Sequence, residues 1–191
     1  MESSKPEIDL DLWLNQDLIK RQNRLKSEFL TLLSEVGNSF PSEDLNDIHP
    51  LSKGKKISKG NDLGGFPYQV LDLIRDFEPK TCSNIRLLNW FGHGFFLMLL
   101  INPEKKVDGP SLLASNFKFA LTESPWDYPE LIVGNSKSDD LKLYASLTSD
   151  FRLWIKPISL TSSFESNQSL LQKEVKNLLE ILQFSSKRKR N

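Results

Sequence analysis

Between Ile85 and Ile101 the chain reads IRLLNWFGHGFFLMLLI, two strand-length runs of large apolar residues joined by Gly92-His93-Gly94. Runs this short, dense in aromatic and branched side chains and closed by Asn102-Pro103, argue for β-strands. Glycine adopts positive φ without strain, so Gly92-His93 or His93-Gly94 suits the two central positions of a tight hairpin turn. That turn sets Phe91 and Phe95 near-opposite each other and leaves His93 at the tip, mostly in solvent. A hairpin so apolar has to be the centre of a sheet, flanked by other strands and covered by a further layer.

The rest of the chain supplies both. Leu14, Leu18, Leu25, Phe29, Leu32, Leu33 and Val36 recur at helical steps with charges between them, which predicts one long amphipathic helix over 10–36. Asp9 or Asp11 caps its start and Gly37-Asn38 supplies a stop. Residues 37–65 read as loop, with a short strand around Ile57. Pro67 suits a first helical turn, and Val70, Leu71, Ile74 and Phe77 share a helical face, so a short helix is expected over 67–77, ended by Glu78-Pro79. Strands are expected at 114–122, 130–133, 141–147 and 151–158, the last two forming a hairpin around Thr148-Ser149-Asp150. A second helical stripe, Leu170 to Leu182, follows caps at Ser166 or Asn167.

Short connections between successive strands predict an antiparallel meander, since parallel pairs need long crossovers. The fold class is therefore α+β: a single antiparallel sheet of about five or six strands packed by long N- and C-terminal helices. A helix-grip shape, a curved sheet around the C-terminal helix, is one version of it. Residues 1–184 read as one globular domain and 185–191 as a basic disordered tail.

Composition narrows the function classes. With 25 Lys+Arg against 25 Asp+Glu, no global field steers the chain to nucleic acid or anionic membranes. A lone cysteine, Cys82, excludes an intramolecular disulfide and fits a reducing compartment. The N-terminal sequence lacks the pattern of a secretory signal, and the longest apolar run, Phe95–Ile101, is far too short to span a bilayer. The chain reads as soluble and cytoplasmic.

The segment Lys56–Ile101, about a quarter of the chain, resembles a group of uncharacterised Bacteroidetes proteins. The residues that carry the resemblance are Gly65, Pro67 and Tyr68, then Leu71-Asp72, Arg75, Ile85-Arg86, Trp90 and Gly92. Where other members have a tyrosine–proline pair after Leu-Asp, this chain has Leu73-Ile74, which favours helix continuing there. The resemblance implies bacterial relatives and no reaction.

Several features bear on chemistry. His93 as an acid or base, oriented by Asp72 and serving Cys82 as nucleophile, would need contact in space, and KTCSNI around Cys82 is no known nucleophile context. The turn reading outweighs it. Two histidines 44 residues apart and one cysteine make no zinc spacing, and SEDLNDIH, Ser42–His49, lacks the calcium-loop pattern and reads as a charged, solvated loop. Lys53–Gly65, with four lysines and four glycines, is the best anion-binding candidate: a mobile surface loop, or a lid over a site formed with Tyr68 and Arg75.

Arg75, Asp72 and Arg86 are the polar residues most embedded among apolar ones. Asp72 and Arg75, three apart on the expected helix, can pair with each other, and Arg86 in a strand can grip a carboxylate or phosphate of a ligand; an internal ion pair that locks the short helix to the sheet is favoured over that ligand-gripping reading. Trp126 and Tyr128, in a proline-rich loop, either stack on a ligand or plug the core. Lys187–Arg190 would give only weak, non-specific binding to nucleic acid or lipid. No cofactor motif is present.

Two functions remain. The first is a non-catalytic binding or interaction protein with a pocket or interface on the sheet, for a small molecule or protein partner, with Arg86, Arg75, Asp72, Tyr68 and Trp126 as ligand-binding candidates. The second is an enzyme acting on an anionic small molecule.

Overall fold

The computed structural model describes residues 7–187. The basic residues 188–190 of the expected tail lie outside the described residues. Two helices stand where one was expected: α1 is Leu10–Trp13 and α2 is Gln16–Asn38. Asp9 accepts from the Leu12 N–H at 2.8 Å, and Asn15 accepts from the Leu18 N–H at 3.0 Å. A side chain that bonds its own backbone starts a helix afresh, so the apolar period runs through a break it does not reveal. Gly37 does not stop α2. It is buried in the last turn, where a Cβ would lie 3.3 Å from Leu71, so its role is close packing. α3 follows at Ser42–Ile48.

β1 (Lys56–Leu63), β2 (Phe66–Asp76), β3 (Ser83–Trp90) and β4 (Gly94–Ile101) form an antiparallel meander. β7 (Arg152–Ile158) lies beside β4, with β5 (Lys118–Ala120) and β6 (Lys137–Ser138) beyond it. The sheet is single, antiparallel and seven-stranded, in the order β1-β2-β3-β4-β7-β5-β6, against the five or six strands expected. α4 (Gly109–Ala114), α5 (Leu141–Ser146) and α6 (Phe164–Lys187) complete the chain, and α6 runs through the first residues assigned to the tail.

Three segments depart from expectation for identifiable reasons. Residues 67–77 are the strand β2, not a helix. Asp72 pairs with Arg86 and Ile74 with Ile85, so Leu73 is an extra, bulged residue. The bulge puts Leu71, Leu73 and Ile74 together on one side, a spacing that imitates a helical face. Residues 130–133 form a π-helical turn, Pro129–Val133, begun by a proline that has no N–H for a ladder. Of residues 141–147, Leu141–Ser146 are the helix α5, capped by Asp140, which accepts from the Lys142 N–H at 2.8 Å. Thr148-Ser149-Asp150 therefore joins a helix to β7 and is not a hairpin loop.

The sheet is buried on both faces. On one, Leu71, Leu87, Leu97 and Trp154 meet Leu33 and Val36 of α2 and Leu171, Val175 and Leu178 of α6. On the other, Val70, Leu88, Trp90, Met98 and Ile155 are covered by Tyr128 and Leu131, from the irregular segment between β5 and β6. Among the described residues no helix is long and apolar enough to cross a membrane.

Candidate functional site

Strand alternation before the bulge sets Asp72 of β2, like Val70, beside Arg86 of β3 on the loop-covered face. Arg86 Nε donates to Asp72 Oδ1 at 2.7 Å and Nη2 to Oδ2 at 3.0 Å, a bidentate pair with side chains 13% and 4% exposed. Asn84 Nδ2 donates to the same Asp72 Oδ1 at 2.8 Å and to the Ile74 carbonyl beside the bulge at 2.9 Å. Arg86 Nη1 donates to Tyr128 Oη at 2.8 Å, and the Trp126 ring lies over the guanidinium with its centroid 5.5 Å away. Burial works against the Arg86 charge, but Asp72 and Tyr128 outweigh it and hold its pKa above the ordinary value. Burial pushes the Tyr128 phenol up, opposed by the Arg86 charge.

The structure thus brings together Asp72, Arg86 and Trp126 of the residues singled out in the sequence, with Tyr68 half-buried on the same face. Arg75 is elsewhere. The expected Asp72–Arg75 pair is replaced by Asp72–Arg86, because the segment is a strand whose cross-strand neighbour is closer than its own i+3 residue. Arg75 Nη2 donates to the Lys53 carbonyl at 2.9 Å and its N–H to Ser52 Oγ at 3.0 Å, tying the edge of the sheet.

Trp126 also packs edge-on against Phe77, centroids 5.3 Å apart, and stays 45% exposed. Its outer side borders an open cleft of about 590 Å3. Cys82, Leu100, Phe77 and Phe151 give the cleft an apolar lining, and Glu123 and Asp150 put carboxylates at it. Cys82 is buried, and burial pushes its thiol up to about 11, so it is a neutral wall group at neutral pH.

His93 belongs to another place. The hairpin has a three-residue loop, Phe91-Gly92-His93, closed by the Trp90–Gly94 pair and the His93 N–H donating to the Trp90 carbonyl at 3.0 Å. Phe95 faces Asn89 rather than Phe91. Gly92 has φ +83 and Gly94 φ +122, as the turn requires. The imidazole is not a solvated tip: it lies 3.8 Å from the Trp90 centroid and 4.7 Å from that of Phe66, half-buried. Cys82 and His93 stand at opposite ends of β3, roughly 25 Å apart at about 3.3 Å per residue, so the Cys82–His93–Asp72 set does not assemble.

Two further expectations change. Lys53–Gly65 is neither a mobile loop nor a lid; most of it is the edge strand β1. Lys55 Nζ donates to the Gly37 and Phe40 carbonyls at 2.9 and 2.8 Å, closing the C-terminal end of α2. SEDLNDIH is not a solvated loop: it forms α3, and His49 is buried with Nε2 2.7 Å from Asp76 Oδ2. Burial raises the Asp76 pKa, but hydrogen bonds from Thr81, the Glu78 N–H and His49 more than offset it and hold the carboxyl below its ordinary value. Among the described residues no three His, Cys, Asp or Glu are grouped to hold a metal.

Sequence reasoning missed Asn84, Phe77 and Phe151 at the site. Asn84 had a signal: in a strand, positions 84, 86, 88 and 90 share one face, so it travels with Arg86. No protein-family model, curated protein or solved structure matches the chain.

Proposed function

We propose that the protein is a non-catalytic binding protein that holds a small molecule with an apolar, aromatic body in the cleft beside Trp126. One observation carries the reading. The ionisable groups behind the cleft are bonded to one another, Arg86 to Asp72 and Tyr128, while the Trp126 ring is left half-exposed over an apolar floor. A rigid aromatic at the mouth of an apolar hollow provides stacking area at low entropic cost. Glu123 and Asp150 favour a ligand carrying amine or hydroxyl groups rather than an anion. An enzyme acting on an anionic molecule would require Arg86 to leave Asp72, stranding a buried carboxylate.

The lone buried thiol fits a reducing, cytoplasmic setting, and kinship with the Bacteroidetes group would make the host bacterial; both are parts of this reading. A helix-grip arrangement would place a ligand against α6, on the face opposite the cleft.

Native mass spectrometry of protein purified from its own host tests the proposal, together with titration of the neutral dye Nile red. A bound small molecule that disappears in Trp126→Ala, and dye affinity that falls with it, is the expected result. Retention of the same mass and the same dye affinity in Trp126→Ala would rule out the cleft.

A further inference from the structure

The apolar stripe of α2 is covered over only half its length. Phe29, Leu32, Leu33 and Val36 pack into the core, and the Lys26 carbonyl accepts from Gln69 Nε2 at 2.9 Å, which marks where the helix meets the sheet. Ahead of Lys26 the stripe continues through Leu18 and Leu25, seven residues apart and in phase with Leu32, yet the core does not reach it. α1 has no buried residue at all; Leu12, Trp13 and Leu14 are 54%, 66% and 64% exposed. The first part of the described chain is thus an arm whose large apolar side chains face water, an arrangement that marks an interaction surface.

The charges on this arm specify what it meets. From Glu7 to Asp17 there are four carboxylates, Glu7, Asp9, Asp11 and Asp17, and no base; from Lys20 to Lys26 there are four bases, Lys20, Arg21, Arg24 and Lys26, and no acid. An arm acidic at one end and basic at the other is complementary to a copy of itself laid antiparallel. With the two-fold axis between Leu18 and Ile19, Asp17 lies against Lys20 of the second copy, and α1, past the break at Leu14-Asn15, reaches the Arg24–Lys26 end of that copy and brings Asp11 towards Lys26. Trp13 then falls beside the groove lined by Leu25, Phe29, Leu32 and Phe164, a hollow of about 380 Å3 that accommodates an indole ring. The intrahelical pairs Arg21–Asp17 and Arg24–Glu28, at 3.7 and 3.6 Å, are exposed and leave these charges free to re-pair.

We infer that the protein forms a two-fold dimer through antiparallel pairing of the arm formed by α1 and the first half of α2, with Trp13 as its anchor. This surface lies on elements separate from the cleft, and the inference stands independently of the ligand. The arm adds nothing to the core, so substitutions in it change association and leave the fold intact. Sedimentation equilibrium of the full chain tests this. The expected result is a dimer at micromolar concentration, weakened about tenfold or more by Trp13→Ala. Asp11→Lys and Lys26→Asp each weaken it alone, and the two together restore it, with unchanged circular dichroism throughout. A wild-type chain that remains monomeric at about 100 μM, well above the micromolar range that about 8 kcal/mol of association supplies, overturns the inference. So does a dimer indifferent to Trp13→Ala and to both charge reversals.

Discussion

The two faces of the sheet are both buried, but by different means. The helix-covered face is closed by two long helices contributing Leu and Val at helical spacing, so its cohesion is mainly non-directional, with the Lys156–Glu174 ion pair and the Gln69 bond to the Lys26 carbonyl as its directed contacts. The loop-covered face is closed by an irregular segment whose buried apolar side chains are Tyr128 and Leu131, and is fastened by a directed network through Arg86. The first face tolerates changes of shape that keep volume, and the second depends on single atoms.

That contrast can be broken or sharpened by experiment. The largest effect belongs to Arg86→Ala. It leaves the Asp72 carboxylate buried without its partner, and about 3–5 kcal/mol is lost from the urea-unfolding free energy. The paired change Asp72→Leu with Arg86→Met removes both charges and loses much less; equal losses would deny that the network is a coupled pair. Leu97→Ala, at a fully buried position on the helix side, costs about 2–5 kcal/mol, whereas Leu97→Met costs under about 1.5 kcal/mol. Tyr128→Phe deletes one hydrogen bond to a charged group, for about 1.5–3 kcal/mol, and raises the reactivity of Cys82 towards thiol reagents as the loop segment loosens.

Acid probes the helix side at its end. The folded Asp76 carboxyl titrates below its unfolded value of about 3.9, so its contribution is complete above that value and disappears as pH falls through the lower, folded one. Asp76→Asn should therefore flatten the acid limb of the stability profile. The smallest change is His93→Asn, where loss of the Trp90 stack costs about 0.5–1.5 kcal/mol while the turn itself is kept.

What could be read in advance follows the same division. The β3–β4 hairpin and the C-terminal helix were legible because their periods are unbroken and their punctuation, Gly92-His93-Gly94 and Asn102-Pro103, is explicit. β2 was not: a single bulged residue, Leu73, shifts its alternation into a pattern that a helix also satisfies. That error hid the site, since Arg86 stood out as an embedded cation but its partner depends on β2 being a strand. The cover of the site was illegible for another reason. ELIV and LKLYASL have strand-like composition, and only Pro129 and the Asp140 cap turn them into helical turns.

The borders of the sheet carry a colloidal consequence. With 25 cations, 25 anions and a pI near 6.7, the chain has no net charge at neutral pH to hold copies apart. An unpaired strand is then a template for edge-to-edge aggregation. Both outer strands are blunted: β1 carries Lys56 and Lys59 and loses register between Gly60 and Leu63, and β6 has two residues. Protection against edge-to-edge pairing thus rests on local gatekeepers rather than on repulsion, and replacing Lys56 and Lys59 by valine should raise light scattering from aggregates.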